Sequence, residues 1–554
     1  MIEAESSSPK EKSAEKQENA SPASSYSAVN PPRGFQSGPF PFHYHLNVVI
    51  FKLGDMGEGR GHIADEADQD TRQPKLEGAH PLEISKAESN AASVALNEVS
   101  PGWEIRVPLV LPGELVRVRI FKNFHTETTP EQVPGYSEAD LVEILKPSPD
   151  RILPKCPLAG TCGGCQFQHM KIDHQRQWKT EFVRKVLEAQ NIRGYSADTA
   201  DDTKTDDDDN SNTATIRDLL FPTEGTDEMF EYRSKLTPRY QAPVKLGDDQ
   251  FELGPIGFQQ VSCRDLIDVE ECPIATPAIN AAYKETRNDL HEKASKGLLN
   301  NRKRRKRNRR SRSVDLGASL LFREGDPDPD TGKPVVVSEF NEYMTTTAKG
   351  IKFRYRASNF FQNNNYVVPL MVDAVIVSAL VPVGGPDGKV PSYLLDCYCG
   401  SGLFALTASK KFKLCVGIEL NEDAIEEATV NAEMNSIKNC QFVAASAEAL
   451  FTSAPALTIH GFENQKIQDF PREETVVVLD PPRKGCSGSF LEQLYEYSPQ
   501  RIVYMSCGPK TQARDAKGIV EVGGYDIVSI QPFDLFPQTR HVECLMVFEK
   551  KKKQ

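Results

Sequence analysis

From about residue 350 onward, seven apolar segments recur with helical stretches between them: SYLLDCY, LCVGIEL, CQFVAAS, TVVVLD, RIVYMSC, YDIVSIQP and ECLMVFEK. Strands alternating with helices in this way predict an α/β fold, a doubly wound sheet with helices on both faces. The run VVVLD is apolar at successive positions, which suits a central parallel strand with no solvent-facing side. Ligands of such sheets bind across the carboxyl ends of the strands. The residues that close each strand therefore carry most of the functional information.

The first strand end is LLDCYCGSGLFAL at 394–406, a strand entering a Gly-x-Gly turn and then a helix, with Glu419 seventeen residues after Gly402 at the end of the next strand. Glycines let a backbone approach a ligand closely, and an acidic residue about 20 positions on accepts hydrogen bonds from ribose hydroxyls. The fuller G-x-G-x-x-G of a dinucleotide site is missing, so the turn suits an adenosyl group without pyrophosphate. Tyr398 stands where its ring can pack on such a cofactor.

The next is VVVLDPPRKGC at 476–486, in which Asp480 ends a strand and Pro481 and Pro482 stiffen the turn after it. Fixed φ at the two prolines holds Asp480 and Arg483 over the sheet edge. Amine-methylating enzymes carry an aromatic after DPP, whereas Arg483 stands here, which argues against an amine target. Cys507 in RIVYMSCGPKTQ closes a later strand just before a helix, where a helix N-terminus or a nearby cation would favour thiolate. A buried, inert thiol is the alternative at that position. His541 and Glu543 in QTRHVECLMVFEK begin the last strand, and alternation puts both on one face.

In order, DCYCGSG, GIEL, LDPPRKG, YMSCGP and HVE, together with SNFFQNNNYV at 358–367, resemble the uracil-5 RNA methyltransferase family. The resemblance spans most of residues 150–550 and implies a C-terminal Rossmann-like domain that uses S-adenosylmethionine. It further implies that Gln362, Tyr398, Glu419 and Asp480 hold the cofactor, that Cys507 is the nucleophile and that Glu543 accepts the proton. Many members have Asn after the nucleophile, whereas this chain has Gly508. The implied partner is RNA, with tRNA and its T-loop uridine 54 preferred and ribosomal RNA the alternative. Readings outside the family are a non-catalytic RNA-binding or tRNA-folding protein and a DNA cytosine-5 methyltransferase.

Upstream, CPLAGTCGGCQFQ spaces Cys156, Cys162 and Cys165 as C-x5-C-x2-C, and Cys272 supplies a fourth sulfur. Four thiolates suit a [4Fe-4S] cluster or structural zinc, and free thiols are the third possibility. The spacing resembles an iron-sulfur motif of some relatives in the same family. The stretch LPGELVRVRI resembles the TRAM module, a small RNA-binding β-barrel, and is expected to fold within 96–152. After the cysteines, Trp178, Phe182, Val186 and Leu187 fall at helical spacing, with Asp173 as cap.

Composition sets the remaining limits. The chain has 554 residues, 39% hydrophobic, and dilute polar stretches assign 1–95 to a disordered tail in which FHYHLNVVIFKL at 42–53 is a stray strand or an imperfect gene model. Residues 153–345 form a cysteine-bearing, mainly β central domain with charged insertions at 198–214 and 286–314, and 346–554 the methyltransferase domain. A net charge of −12 disfavours nucleic acid overall, yet residues 302–312 hold nine basic side chains in eleven, an RNA contact or an import signal. No eighteen-residue apolar window and no leader-like start occur, so the expectation is a monomeric protein without a membrane, inside the cell, in cytoplasm, nucleus or both, with mitochondria left open.

Overall fold

The computed structural model describes residues 38–64, 103–125, 135–193, 215–247, 250–261, 263–299, 317–382, 388–449, 451 and 455–551, with residues 31 and 35. The acidic insertion at 198–214 and the basic strip at 302–312 lie outside them.

The predicted sheet is present. Seven strands, β8 (Tyr393–Cys397), β9 (Leu414–Glu419), β10 (Cys440–Ala444), β11 (Thr475–Leu479), β12 (Arg501–Ser506), β13 (Tyr525–Phe533) and β14 (Glu543–Lys550), lie in the order β10-β9-β8-β11-β12-β14-β13. The first five are parallel, and β14 inserts antiparallel between β12 and β13. Alternate residues feed two cores. Leu395, Val477, Ile502 and Tyr504 face one layer, whereas Leu394, Val476, Val503 and Met505 face the other. Burial on both faces explains the unbroken apolar runs.

The second of these layers is built by α3 (Val368–Leu380), by the short α4 (Leu403–Ala408), and by Ala432 on α5 (Glu422–Met434). The first is built by α6 (Gly488–Tyr497), α7 (Pro509–Glu521) and, from far upstream, α1 (Ile172–Glu188), whose Val183, Val186 and Leu187 join the sheet's core. Part of the segment expected as the central domain, α1, therefore belongs to the core of the sheet. Its cap is Lys171 without a side-chain hydrogen bond, and Asp173, the expected cap, lies inside the first turn.

The largest correction concerns the N-terminal region. A closed barrel has the order β1-β2-β3-β5-β4, formed by β1 (His45–Leu53), β2 (Gly59–Ile63), β3 (Glu104–Val107), β4 (Leu115–His125) and β5 (Gly135–Lys146). The barrel begins at His45 rather than 96, so 42–53 is neither stray nor outside the fold. Leu46, Val48 and Ile50 point alternately into the barrel core with Ile105, Val116 and Val118. Gly59 and Gly61 on β2 let it approach: a Cβ on Gly61 would stand 2.3 Å from Val48 and one on Gly59 2.1 Å from Val110.

Between barrel and sheet, short strands from 235 to 337 pack with α2 (Pro277–Ser295), and the hairpin β6 (Tyr343–Ala348) and β7 (Ile351–Arg356) follows. The insertion expected at 286–314 starts too early, since Arg287, Leu290 and Ala294 are buried on α2. No described helix is long and apolar enough to cross a membrane.

Candidate active site

Five of the six expected site residues arrive at one edge of the sheet because of its topology. Tyr398, Glu419, Asp480 and Cys507 each end, or directly follow, a parallel strand, and Glu543 begins the antiparallel β14 at the same edge. The β12/β14 ladder pairs Met505 with Leu545 and Ser506 with Cys544. One step further along that register sets Cys507 across from Glu543.

The electrostatics follow from this crowding. Cys507 is half-buried; burial, then the carboxylates of Glu543 and Asp480, push its thiol up to about 11, and the Arg483 guanidinium opposes them by charge and by a hydrogen bond. Glu543 is 5% exposed. Burial and Asp480 hold its carboxyl well above the ordinary carboxylate range, while Arg483 and Lys179 pull the other way. Asp480 is pushed up to about 7 by burial. Two acids and one thiol thus share two cations, an arrangement suited to moving a proton.

The glycine turn is open. Its Gly400 has φ +53° and a Cβ there would meet nothing within 4 Å. The Glu419 carboxylate accepts the Gly400 N–H at 3.3 Å and the Asn421 N–H at 3.0 Å, so it is fixed beside the turn. Tyr398 has φ +64° and sets its ring edge-on to Phe490 at 5.7 Å. Buried Asp396 accepts the Ala405 N–H at 2.9 Å, and burial pushes it up to about 8.

Gln362, 7% exposed, comes from outside the sheet, on the segment between β7 and α3. Buried Asn364 ties that segment to the loop before Glu543 by donating to the Leu535 carbonyl at 3.0 Å. The same loop is held from the cysteine side: Gln175 and Gln538 exchange hydrogen bonds at 2.9 and 3.0 Å, and the Tyr232 hydroxyl donates to Pro537 at 2.9 Å. Fully buried Lys179 pairs with Asp534 and donates to the Phe536 carbonyl at 3.1 Å. Sequence patterns missed Lys179, Asp534 and Gln538 because their partners lie more than 350 positions away. Phe360, 73% exposed beside Gln362, was also missed, although an aromatic left in solvent next to a site is a signal visible only in a structure.

Cys156, Cys162, Cys165 and Cys272 are half-buried and free; Cys165 is pushed up to about 12, chiefly by burial and then by the neighbouring cysteines. Their arrangement does not meet the expectation of a metal centre. Among the described residues no three His, Cys, Asp or Glu side chains stand where they could hold a metal ion. Turns closed by the Cys156 and Leu158 carbonyls, and a backbone bridge from Cys162 to Gln260, hold the main chain of this segment.

Residues 332–551 match the family described as tRNA (Uracil-5-)-methyltransferase. The tRNA (uracil(54)-C(5))-methyltransferase of Schizosaccharomyces pombe is 35% identical over 455 residues, covering 81% of this chain and 74% of its own. Its namesake from Saccharomyces cerevisiae is 28% identical over 565 residues, covering 91% and 78%. The structure of Pyrococcus abyssi tRNA (uracil-54, C5)-methyltransferase in complex with S-adenosyl-L-homocysteine aligns with a TM-score of 0.53 at 20% identity, covering 91% of this chain and all of that one.

Proposed function

Because the chain belongs to the tRNA (uracil-5-)-methyltransferase family, we propose that it methylates carbon 5 of a uridine in tRNA, the T-loop uridine 54, from S-adenosylmethionine. The juxtaposition of Cys507 and Glu543 across neighbouring strands carries this reading.

The residues present suit the cofactor. An open glycine turn beside a fixed carboxylate at Glu419 offers acceptors for ribose hydroxyls, and Asp480 offers a carboxyl to a cationic ligand. Gln362 and Tyr398 complete the set that holds it. When bound, S-adenosylmethionine supplies the methyl electrophile.

The remaining chemistry belongs to the chain. Carbon 5 of uracil is too poor a nucleophile to react unaided, so Cys507 as thiolate adds to carbon 6 and leaves electron density on carbon 5. Arg483 favours the thiolate that the two acids oppose. Once carbon 5 carries the methyl group, its proton must depart. Glu543 takes that proton, carbon 5 and carbon 6 regain their double bond, and the thiolate leaves. Arg483 and Lys179 favour the ionised form of Glu543, which is the form that accepts the proton. The uridine has to be presented out of its stack for Cys507 to reach it.

In the same reading, the five-stranded barrel is a TRAM-like RNA-binding module. The protein works as a monomer inside the cell, in cytoplasm or nucleus. The main test is incubation of unmodified tRNA with the protein and S-adenosylmethionine, with nucleoside mass spectrometry and mapping of position 54. 5-Methyluridine at that position is expected; its absence, or its appearance only at another uridine, overturns the assignment.

A further inference from the structure

Among the described residues, the hairpin strand β7 pairs with β6 on one edge, and side chains cover its other edge. The N–H groups of Lys352, Arg354 and Arg356 donate to Asn435 Oδ1 at 2.9 Å, Asn431 Oδ1 at 2.6 Å and Glu427 Oε1 at 2.8 Å. Glu427 and Asn431 belong to α5 and Asn435 is its C-cap, so the three acceptors recur every fourth residue. Four residues of helix rise about 6 Å and two residues of strand about 6.6 Å, so the two keep step.

Glu427 does more than complete this ladder. Its Oε1 also accepts Asn359 Nδ2 at 2.8 Å, and its Oε2 accepts the Ser401 hydroxyl at 2.9 Å. Asn359 precedes Gln362 by three residues and Ser401 lies in the glycine turn. The carboxylate, 3% exposed, therefore joins the two segments that wall the cofactor site. From the other side, fully buried Arg323 donates to the carbonyls of Asn359, Ala357 and Phe361 at 2.5, 3.3 and 2.8 Å. A glutamine at 427 would match the ladder, but it has one acceptor oxygen in place of two. Three donors on one buried carboxylate offset its desolvation.

We propose that Glu427 is a positioning residue for methyl transfer, fastening the Gln362 segment to the Ser401 turn so that both walls of the S-adenosylmethionine site form as one unit. The proposal rests on the reading of that site given above. Its test compares wild-type full-length protein with Glu427→Gln, Glu427→Ala and Ser401→Ala. Calorimetric titration with S-adenosylhomocysteine is paired with the KM for S-adenosylmethionine and kcat at saturating cofactor.

Loss of one charge-assisted hydrogen bond corresponds to about tenfold in affinity, so Glu427→Gln weakens S-adenosylhomocysteine by about that factor and Glu427→Ala by more. Ser401→Ala weakens it less. KM rises accordingly, while kcat and the KM for tRNA hold. Equal affinity in wild type and Glu427→Gln overturns the proposal, as does a parallel fall of kcat, tRNA binding and thermal midpoint. Should Glu427→Ala fail to fold, Glu427→Gln and Ser401→Ala decide. Wild-type protein that ignores S-adenosylhomocysteine overturns the reading of the site, and the proposal with it.

Discussion

Cys507 and Glu543 face each other one step beyond the last paired residues of two antiparallel strands, Ser506 and Cys544. The thiol and its proton acceptor are thus set by backbone register rather than by a flexible loop. Replacing Cys507 with Ala is expected to abolish transfer and adduct formation with fluorouracil-substituted tRNA. Glu543→Gln removes the charge that raises the thiol while blocking departure of the carbon 5 proton. Methylated tRNA should then accumulate covalently on the protein, visible on denaturing gels, and adducts should form at lower pH than in wild type.

Adduct formation should also rise with pH. The thiol is pushed up to about 11, so the thiolate fraction of free protein grows about tenfold per pH unit below that value. Arg483→Gln removes a stabilising cation and should shift the profile to higher pH. Rates of adduct formation across a pH series check both statements.

Cofactor affinity should have its own pH dependence, through Asp480. Its carboxyl, pushed up to about 7 in the free protein, is largely protonated below that value. A cationic ligand favours the carboxylate, so binding near neutrality releases protons and tightens as pH rises through about 7. Calorimetry in buffers of different ionisation enthalpy measures the release. Asp480→Asn should abolish it.

The ion pair of Lys179 and Asp534 is fully buried. Deleting one partner leaves the other charged in the interior, and Lys179→Met is expected to cost about 3–5 kcal/mol of stability. The double variant Lys179→Met, Asp534→Leu should cost less than either single change. Urea unfolding of the three variants gives the comparison.

Ile50 is fully buried in the barrel, so Ile50→Ala should destabilise by about 2–5 kcal/mol through the cavity it leaves. If residues 42–53 stood outside the fold, the same change would be silent. Thermal unfolding decides between these outcomes.

The sheet and its edge were legible because each strand end there combines an apolar run with a chemically distinctive stop, as in VVVLDPPR and RIVYMSCGP. Period-2 burial was legible in β4 for the same reason. The role of β1 was not. It closes the barrel against β4 through pairs such as Val48 with Val116, 68 positions away, which no local pattern announces. Glu427 was hidden differently: on α5 it occupies an ordinary helical position between Glu426 and Ala428, and only the neighbouring β7 gives it meaning. The departure at Gly508 has a local explanation instead. A Cβ there would stand 2.8 Å from the Thr511 hydroxyl and 3.1 Å from the Arg483 carbonyl, so the DPPR turn rests where a side chain would be.

The exchange between Gln175 and Gln538 spans 363 positions of sequence. Closing so long a loop is slow and entropically unfavourable until both ends are already structured. The edge that holds Glu543 should consequently be among the last parts of the molecule to mature during folding. It follows that a methyltransferase sheet expressed without residues 166–188 would lack both this brace and the helix covering one face, so chemistry and solubility would be lost together.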